Sequence, residues 1–390
     1  LVAACRHDNA AITVAAERDT NAAAIATNEQ RHAANIKTVV SVDAFGDVNE
    51  GNAAEALKYM PGMTVNYLAS NANTVSVRGF DPIFTTVNVD GARVATASLA
   101  NASRAVDFFT VNTNAVSRIE VVKVPTPDKP ADSLGGSVNL ISRSAFEYNK
   151  AIFQYSAQVN MNSQYREPTK ATPGPFNGDS YKTLPGGSFN YTLPLSKTFG
   201  IVVSGLSSNQ FNVQRRTIPG WTFNGLGTPT APYYRSFTLQ DSPAFVYRDT
   251  FSIKADWRFA PRHTLSTTLQ TNWYKLQFAA HLLNFNTGNP ASLADFSPTH
   301  TQGQLGLSTN NANNAVAQNA NGGVANAQAN STRQFYQSQN QAIINYRYDG
   351  PLWRVEAGFS PSNAGVKFRD ISNGHMQSVV TNLVPAGTGA

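Results

Sequence analysis

Long apolar runs are missing from this chain of 390 residues: nowhere do about 18 apolar residues follow one another, the length a membrane-crossing helix needs. That excludes a helical membrane bundle and leaves a transmembrane barrel open, because barrel strands alternate and leave no such run. Cysteine is almost missing too. A single Cys5 excludes an internal disulfide and a cysteine-based metal cluster. Charge is scarce, with Asp, Glu, Lys and Arg making up 14% of residues, well below the roughly 25% of ordinary soluble domains. The formal net charge is +6, but the 30 Lys and Arg are scattered singly, so nucleic acid is not an expected partner. The six histidines have no metal-ligand spacing, and no nucleophile elbow or phosphate loop is present. No catalytic residues, metal or cofactor are therefore expected.

Asn, Gln, Ser and Thr stand in for the missing charge, beside 22 Phe and 14 Tyr, a mixture suited to strands with one apolar and one wet face. Residues 1–34 are rich in Ala and Asn and read as a flexible arm, with a short β-prone island at Ile12-Thr13-Val14-Ala15-Ala16. The start at Leu1, without Met, fits removal of an export signal or a sequence incomplete at its beginning. Leu1 to Cys5 has the look of a lipoprotein signal's end, yet the apolar stretch that should precede it is not there, and no lipid anchor is expected.

From Val39 the pattern tightens. Val39 to Val42 reads as a strand inside the fold. Asn52 followed by Glu55 has capping-box spacing and opens a short helix ended by Pro61-Gly62, with Leu57 and Met60 toward a core. Thr74 to Val77 alternates, and Val87 to Val89, Asp90-Gly91 and Ala92 to Val94 form a two-residue hairpin signal. Strands are expected at Ile119 to Val124 and Ser137 to Ile141, with Gly135-Gly136 permitting a tight backbone entry. The unit is a small mixed α+β domain.

After Phe146 long alternating strands take over. Phe153, Tyr155, Ala157, Val159 and Met161 share one face, and Phe251, Ile253, Ala255, Trp257 and Phe259 oppose Ser252, Lys254, Asp256 and Arg258. Short turns at Leu195 to Thr198, Ala260 to His263 and Asp349 to Pro351 alternate with long polar stretches at Tyr165 to Leu184, Arg215 to Ser242 and Ala279 to Thr332. Outer-membrane barrels have this asymmetry. A soluble β-sandwich also alternates, but its strands average about five or six residues, whereas Phe245 to Phe259 and Thr264 to Phe278 suit tilted membrane strands.

Six pieces in order resemble the plug of TonB-dependent outer-membrane receptors. They are Asn52 to Leu57, Pro61 to Val65, Val75 to Phe80, Val89 to Gly91, Arg118 to Val121 and Gly135 to Ser142. The signature positions are Pro61, Gly62, Arg78, Gly79, Asp90, Gly91, Arg118, Glu120, Gly135 and Gly136. The chain departs from the family's pattern at Val124-Pro125 and Asp132 to Leu134, where that loop should differ in shape. Wording around Asp128 to Asn139 looks closer to the large carbohydrate-type receptors. The resemblance implies an α+β plug at 35–145 and, at 146–390, the N-terminal part of an antiparallel transmembrane β-barrel, incomplete in this chain because plugged transporters need about 22 strands. It implies no enzymatic turnover. Ile12 to Ala16 becomes a candidate TonB box, which would add as a strand to the partner TonB.

The same resemblance implies import, driven by the proton-motive force, of a scarce ligand such as an oligosaccharide or ferric siderophore across the Gram-negative outer membrane, with outer-membrane lipid around the barrel. Ligand contacts are then expected in the plug apices, at Tyr67, Asn71, Asn73, Phe80, Asp81 and Asn101. Arg78, Arg118, Glu120 and Arg143 are expected to pair with one another or with Lys254, Asp256 and Arg258 on the wall. The competing expectation is a secreted or surface β-protein, an adhesin or a polysaccharide-degrading enzyme.

Overall fold

The computed structural model describes residues 22–33, 35–45, 51–68, 71–98, 103–126, 131–171, 181–222, 233–286, 295–296, 299, 301–302, 309–310, 316–317, 324–369, 372 and 379–383. The first elements in chain order are α1 (Ala22–Arg31), β1 (Lys37–Ser41), α2 (Ala53–Leu57), β2 (Met63–Leu68), β3 (Asn71–Val77), β4 (Thr85–Val89), β5 (Ala92–Arg93), β6 (Val116–Val122) and β7 (Gly136–Ser142). The β1-β6-β7-β4-β5 sheet is mixed, with β4 and β7 parallel and the other pairs antiparallel, while β2 and β3 form a separate hairpin. Period-two alternation sends Ile119, Val121, Val138, Leu140, Val87 and Val89 into one core with Leu57, Met60 and Phe108 from the covering segments. Arg118, Glu120 and Asn139 occupy the opposite face by the same alternation.

Three local devices shape this unit. Asn52 caps α2, its Oδ1 accepting from the Ala54 amide at 2.9 Å while its Nδ2 donates to the Ala72 carbonyl at 2.8 Å. The reciprocal half of the expected capping box is replaced. The Glu55 carboxylate instead meets the Lys58 ammonium at 2.5 Å and accepts from the Tyr67 hydroxyl at 3.4 Å. Asp90 and Gly91 both have positive φ, 49° and 80°, as a type I′ hairpin requires. Gly136, at φ 146°, enters β7 where a Cβ would lie 2.7 Å from the Val122 carbonyl oxygen, so only glycine fits.

The flexible arm expected as far as Ala34 is corrected: Ala22–Arg31 is helical. Ala23, Ala24 and Ala26 carry the best intrinsic helix propensity, and Glu29, in the last turn, is fastened to Arg118. A composition argument treats Ala as bland and misses an anchor about ninety positions away.

The second structure is a nine-stranded antiparallel sheet. Its strands are β8 (Ile152–Met161), β9 (Thr183–Pro194), β10 (Phe199–Thr222), β11 (Tyr233–Ala260) and β12 (His263–Asn286). After four two-residue strands, β13 (Asp295–Phe296), β14 (Thr301–Gln302), β15 (Thr309–Asn310) and β16 (Val316–Ala317), come β17 (Val324–Asp349), β18 (Arg354–Phe359), β19 (Ser362–Phe368) and β20 (Val379–Leu383). The order is β18-β17-β12-β11-β10-β9-β8. β18, β19 and β20 pair with successive stretches of β17, Ile344–Asp349, Phe335–Gln341 and Ala325–Ala329, and together fill one rank. Tight turns join β9 to β10, β11 to β12 and β17 to β18, all at one end of the sheet.

The polar stretches expected as loops are corrected at their flanks. β10 and β11 pair from Phe199↔Trp257 to Thr222↔Tyr233, with one shift of register between Gly220 and Trp221, so most of Arg215 to Ser242 is paired strand. β12 likewise runs on to Asn286 and β17 begins at Val324. These hairpins outreach the roughly 9–11 residues a tilted strand needs to cross a bilayer.

The sheet is inside out by the standards of a soluble sandwich. From Arg248 to the end of β11 the buried side chains are polar, with Arg248 at 0% exposure, Ser252 at 7% and Asp256 at 3%, while Trp257 on the other face is 49% exposed. On β8, Tyr155 stands 77% exposed. A sandwich buries its apolar face; a transmembrane barrel turns it outward to lipid. The fold is thus an α+β unit followed by an antiparallel barrel-type sheet. No helix among the described residues is long and apolar enough to cross a membrane, which leaves crossing by strands untouched.

Candidate functional site: the seam between the inner unit and the sheet

The buried polar face of the large sheet holds the first unit, and the contacts fall into three groups. The first is ionic. Asp90 takes the amide of Ser142 on Oδ1 at 2.8 Å, bonds the Ser142 hydroxyl through Oδ2, and faces the Lys254 ammonium of β11 at 3.5 Å. Lys254 also donates to the Ser142 hydroxyl at 2.6 Å. Beside it Ser144 donates to Asp256 at 2.7 Å, and Ser266 of β12 donates to the other Asp256 oxygen at 2.6 Å. Arg258 lies 3.9 Å from the Phe146 ring centre. The type I′ turn thus serves twice, as a hairpin and as the carboxylate that meets the wall.

The second group is a row of carboxamides on β17. Residues 337, 341 and 345 share one face because they are four apart on a strand. Gln337, Gln341 and Asn345 each donate from the side-chain nitrogen, to the carbonyls of Ala97, Arg93 and Asp90 at 2.5, 3.2 and 3.1 Å. The Ala95 amide donates to the Ser362 hydroxyl at 3.0 Å. Residues 90–97 therefore climb the wall, with the carbonyls of Asp90, Arg93 and Ala97 accepting from neutral side chains.

The third group lies farther from the short turns. Phe109 stacks on Tyr274 at 4.6 Å with planes 7° apart, and the buried Arg248 donates from Nε to the Phe109 carbonyl at 3.1 Å while sitting 5.5 Å from the Tyr274 ring. Asn112 donates to Asn272 at 3.3 Å and Asn114 to the Gly205 carbonyl at 2.8 Å. Open space lies beside the ionic group, toward the short-turn end of the sheet. A polar cavity of about 1070 Å³ is lined by Asp90, Ser142, Lys254, Asp256, Arg118 and Glu120 among others.

The helix α1 is tied to this seam. Arg118 donates from Nε and Nη2 to the two Glu29 oxygens at 2.9 and 2.8 Å and from Nη1 to Glu147 at 3.2 Å. Burial works against its charge, but Glu29 and then Glu147 and Glu120 outweigh it and hold the guanidinium above its ordinary range. Arg143 meets Asp43 at 3.0 Å and Lys37 meets Glu120 at 3.4 Å. The expected pairings are thus redistributed. Arg118 and Glu120 face different partners, Arg143 stays within the unit, and Arg78, exposed at φ 54°, lies 5.8 Å from the Phe80 ring. Lys254 and Asp256 do meet the unit, at Asp90 and Ser144.

The remaining expected positions are dispersed. Ile12 to Ala16 and Asn101 lie outside the described residues. Asn71, at 1% exposure, is inside the unit beside the α2 cap, so its side chain does not face outward as the apex reading expects. Tyr67 is 52% exposed, and burial, then Glu55, push its hydroxyl's pKa up. Phe80 and Asp81 are exposed, with Asp81 capping the turn at Pro82–Phe84, and Asn73 is half-buried. Gly62 and Gly79 both sit at φ 78°, and Arg78 donates its amide to the Gly62 carbonyl next to Pro61. Gly135 donates its amide to the Phe84 carbonyl. Sequence reasoning missed Arg248, Gln337, Gln341 and Asn345; the polar parity of β11 and β17 was the available signal. Among the described residues no group of His, Cys, Asp or Glu is arranged to hold a metal ion.

Residues 29–137 match the family described as TonB-dependent Receptor Plug Domain. No curated protein matches the chain. Among solved structures, a mutant of the ferric enterobactin receptor PfeA from Pseudomonas aeruginosa aligns at 11% identity and TM-score 0.38, over 88% of this chain and 59% of that one. The siderophore receptor PirA from Acinetobacter baumannii aligns at 10% and 0.35, over 87% and 58%. The ferric citrate transporter FecA aligns at 10% and 0.31, over 87% and 61%. The chain thus spans about three fifths of the length of these structures.

Proposed function

We propose that this chain, in which residues 29–137 form a TonB-dependent receptor plug domain, serves an energy-coupled transporter of the Gram-negative outer membrane. The observation that carries the proposal is the character of the seam. The plug is held to the wall by separate ionic, carboxamide and stacking contacts, the stacking set within one small apolar cluster of Phe109 with Ala244, Val246, Tyr274, Leu276 and Phe335, and a polar cavity of about 1070 Å³ opens beside the ionic contacts. Polar contacts can be exchanged for water one at a time, so a pulled plug can move without exposing a large apolar surface.

In this reading an oligosaccharide or ferric siderophore binds at the outer apices, where Tyr67, Asn73, Phe80, Asp81 and Asn101 are the contact candidates. Ile12 to Ala16 add as a strand to TonB, whose inner-membrane complex relays the proton-motive force. Tension then passes along α1 to the Glu29–Arg118 pair and on to the seam. The protein carries the ligand without chemical turnover. Uptake of labelled oligosaccharides and ferric siderophores into cells, with and without residues 12–16, tests this. Loss of uptake with retained surface binding is expected; undiminished uptake removes that segment from the mechanism.

A further inference from the structure

On the outward face of the large sheet, two hollows lie one above the other across β11, β12, β17 and β19. The upper, about 870 Å³, is lined by Lys275, Lys367 and Arg369 with Tyr247, Trp273 and Tyr336, against one carboxylate, Asp249. The lower, about 520 Å³, is floored by Phe251, Ile253, Leu269, Ala342 and Pro361. They are successive steps along the same strands: Trp273 and Ser338 end the first, Thr271 and Asn340 begin the second. Both open on the face that carries Trp257, since 249, 251, 253 and 257 share parity on β11.

The level matters as much as the chemistry. Counting from the short-turn end, the outward side chains of β11 are apolar from Phe259 to Phe251, and the first charge is Asp249. On β12 the same face runs Leu265, Thr267, Leu269, Thr271 and Trp273, uncharged throughout, before Lys275. That is nine to eleven positions, about the span of a bilayer's apolar layer. Lys275 is seated between its cross-strand neighbours, 5.2 Å from the Tyr247 ring centre and 5.7 Å from that of Tyr336. A single lysine at this height is ordinary snorkelling. Three cations over an apolar trough are a matched pair of surfaces, one for an anionic headgroup and one for acyl chains.

We propose that this double hollow binds one lipid, an acylated phosphate-bearing molecule of the leaflet nearer the long hairpins, with its phosphate on Lys275, Lys367 and Arg369 and an acyl chain on Phe251, Ile253 and Leu269. The inference rests on the outer-membrane reading above. Charge complementarity selects a headgroup whose phosphate leaves it with net negative charge over a zwitterionic one, and continuity with the trough selects a lipid over a free anion.

The test is native mass spectrometry of the full chain in detergent, titrated with dipalmitoyl phosphatidic acid, dipalmitoyl phosphatidylcholine or inorganic phosphate. About tenfold tighter retention of the phosphatidic acid is expected, falling to parity in a variant carrying Lys275→Gln, Lys367→Gln and Arg369→Gln. Leu269→Ser is expected to weaken both lipids alike. Equal retention of the two lipids by the unaltered chain overturns the proposal without needing any variant to fold. Preference surviving in the triple variant, or displacement of the lipid by millimolar inorganic phosphate, overturns it as well. Membrane fractionation separates the two failures: a chain found in the outer membrane with no lipid preference sinks this inference alone.

Discussion

Asp90→Asn isolates the charge at the plug–wall seam from everything else Asp90 does. Asn tolerates positive φ as well as Asp, so the Asp90-Gly91 turn is kept. Its carboxamide oxygen still accepts from the Ser142 amide. What disappears is the negative charge 3.5 Å from Lys254, in a pair whose side chains are each 11% exposed. Coulomb's law at an effective dielectric near 20 gives an attraction of about 5 kcal/mol. Desolvation of the pair offsets part of it, while the lysine left behind in the seam adds cost. The net loss is about 2–3 kcal/mol, or a rise of roughly 30- to 150-fold in the opening constant of the seam. Hydrogen exchange of the 136–142 amides, with the protein in membranes, reads this directly. Exchange within twofold of the unaltered chain in Asp90→Asn, when Lys254→Gln speeds it, would refute the pairing. A double variant no more labile than either single one is expected, because both remove one interaction.

Two further substitutions probe other joints. Gly136→Ala places a Cβ against the Val122 carbonyl and Val77 at positive φ, so a loss of about 2–4 kcal/mol is expected in plug stability, read as protease sensitivity at the β4–β7 pair. Arg118→Gln breaks the two-pronged grip on Glu29, and amides of Ala22–Arg31 are expected to exchange much faster while those of β10–β12 do not change; equal effects in both would show that α1 is not separately fastened.

Legibility from sequence followed the strength of local constraint. Asp90-Gly91 announced its hairpin because only a type I′ turn suits those residues there, and the alternation on β11 announced an inverted sheet because the membrane side has no polar residues between Phe251 and Phe259 on that face. Past Asp249 the signal faded. Where a hairpin stands clear of the apolar layer, both faces are wet, so Arg215 to Ser242 looked like loop though it is paired strand. The seam was harder still. That Asp90 would meet Lys254, or Gln341 the Arg93 carbonyl, depends on register across more than 150 positions, which no local pattern encodes. Asn71 was misread for the reverse reason: its place across the hairpin from exposed Leu68 and Tyr67 hid that it is packed at 1% exposure.

On the proposed function, the plug leaves its polar wall for substrate to pass. Cysteines placed at Ser142 and Lys254, in a chain with Cys5→Ser, and joined by a reducible bifunctional reagent, fix the plug to β11 at the ionic part of the seam. Tethered cells are expected to bind ligand at the surface, fail to import it, and recover import when the link is reduced. Import at the untethered rate through the fixed plug would contradict the proposed function.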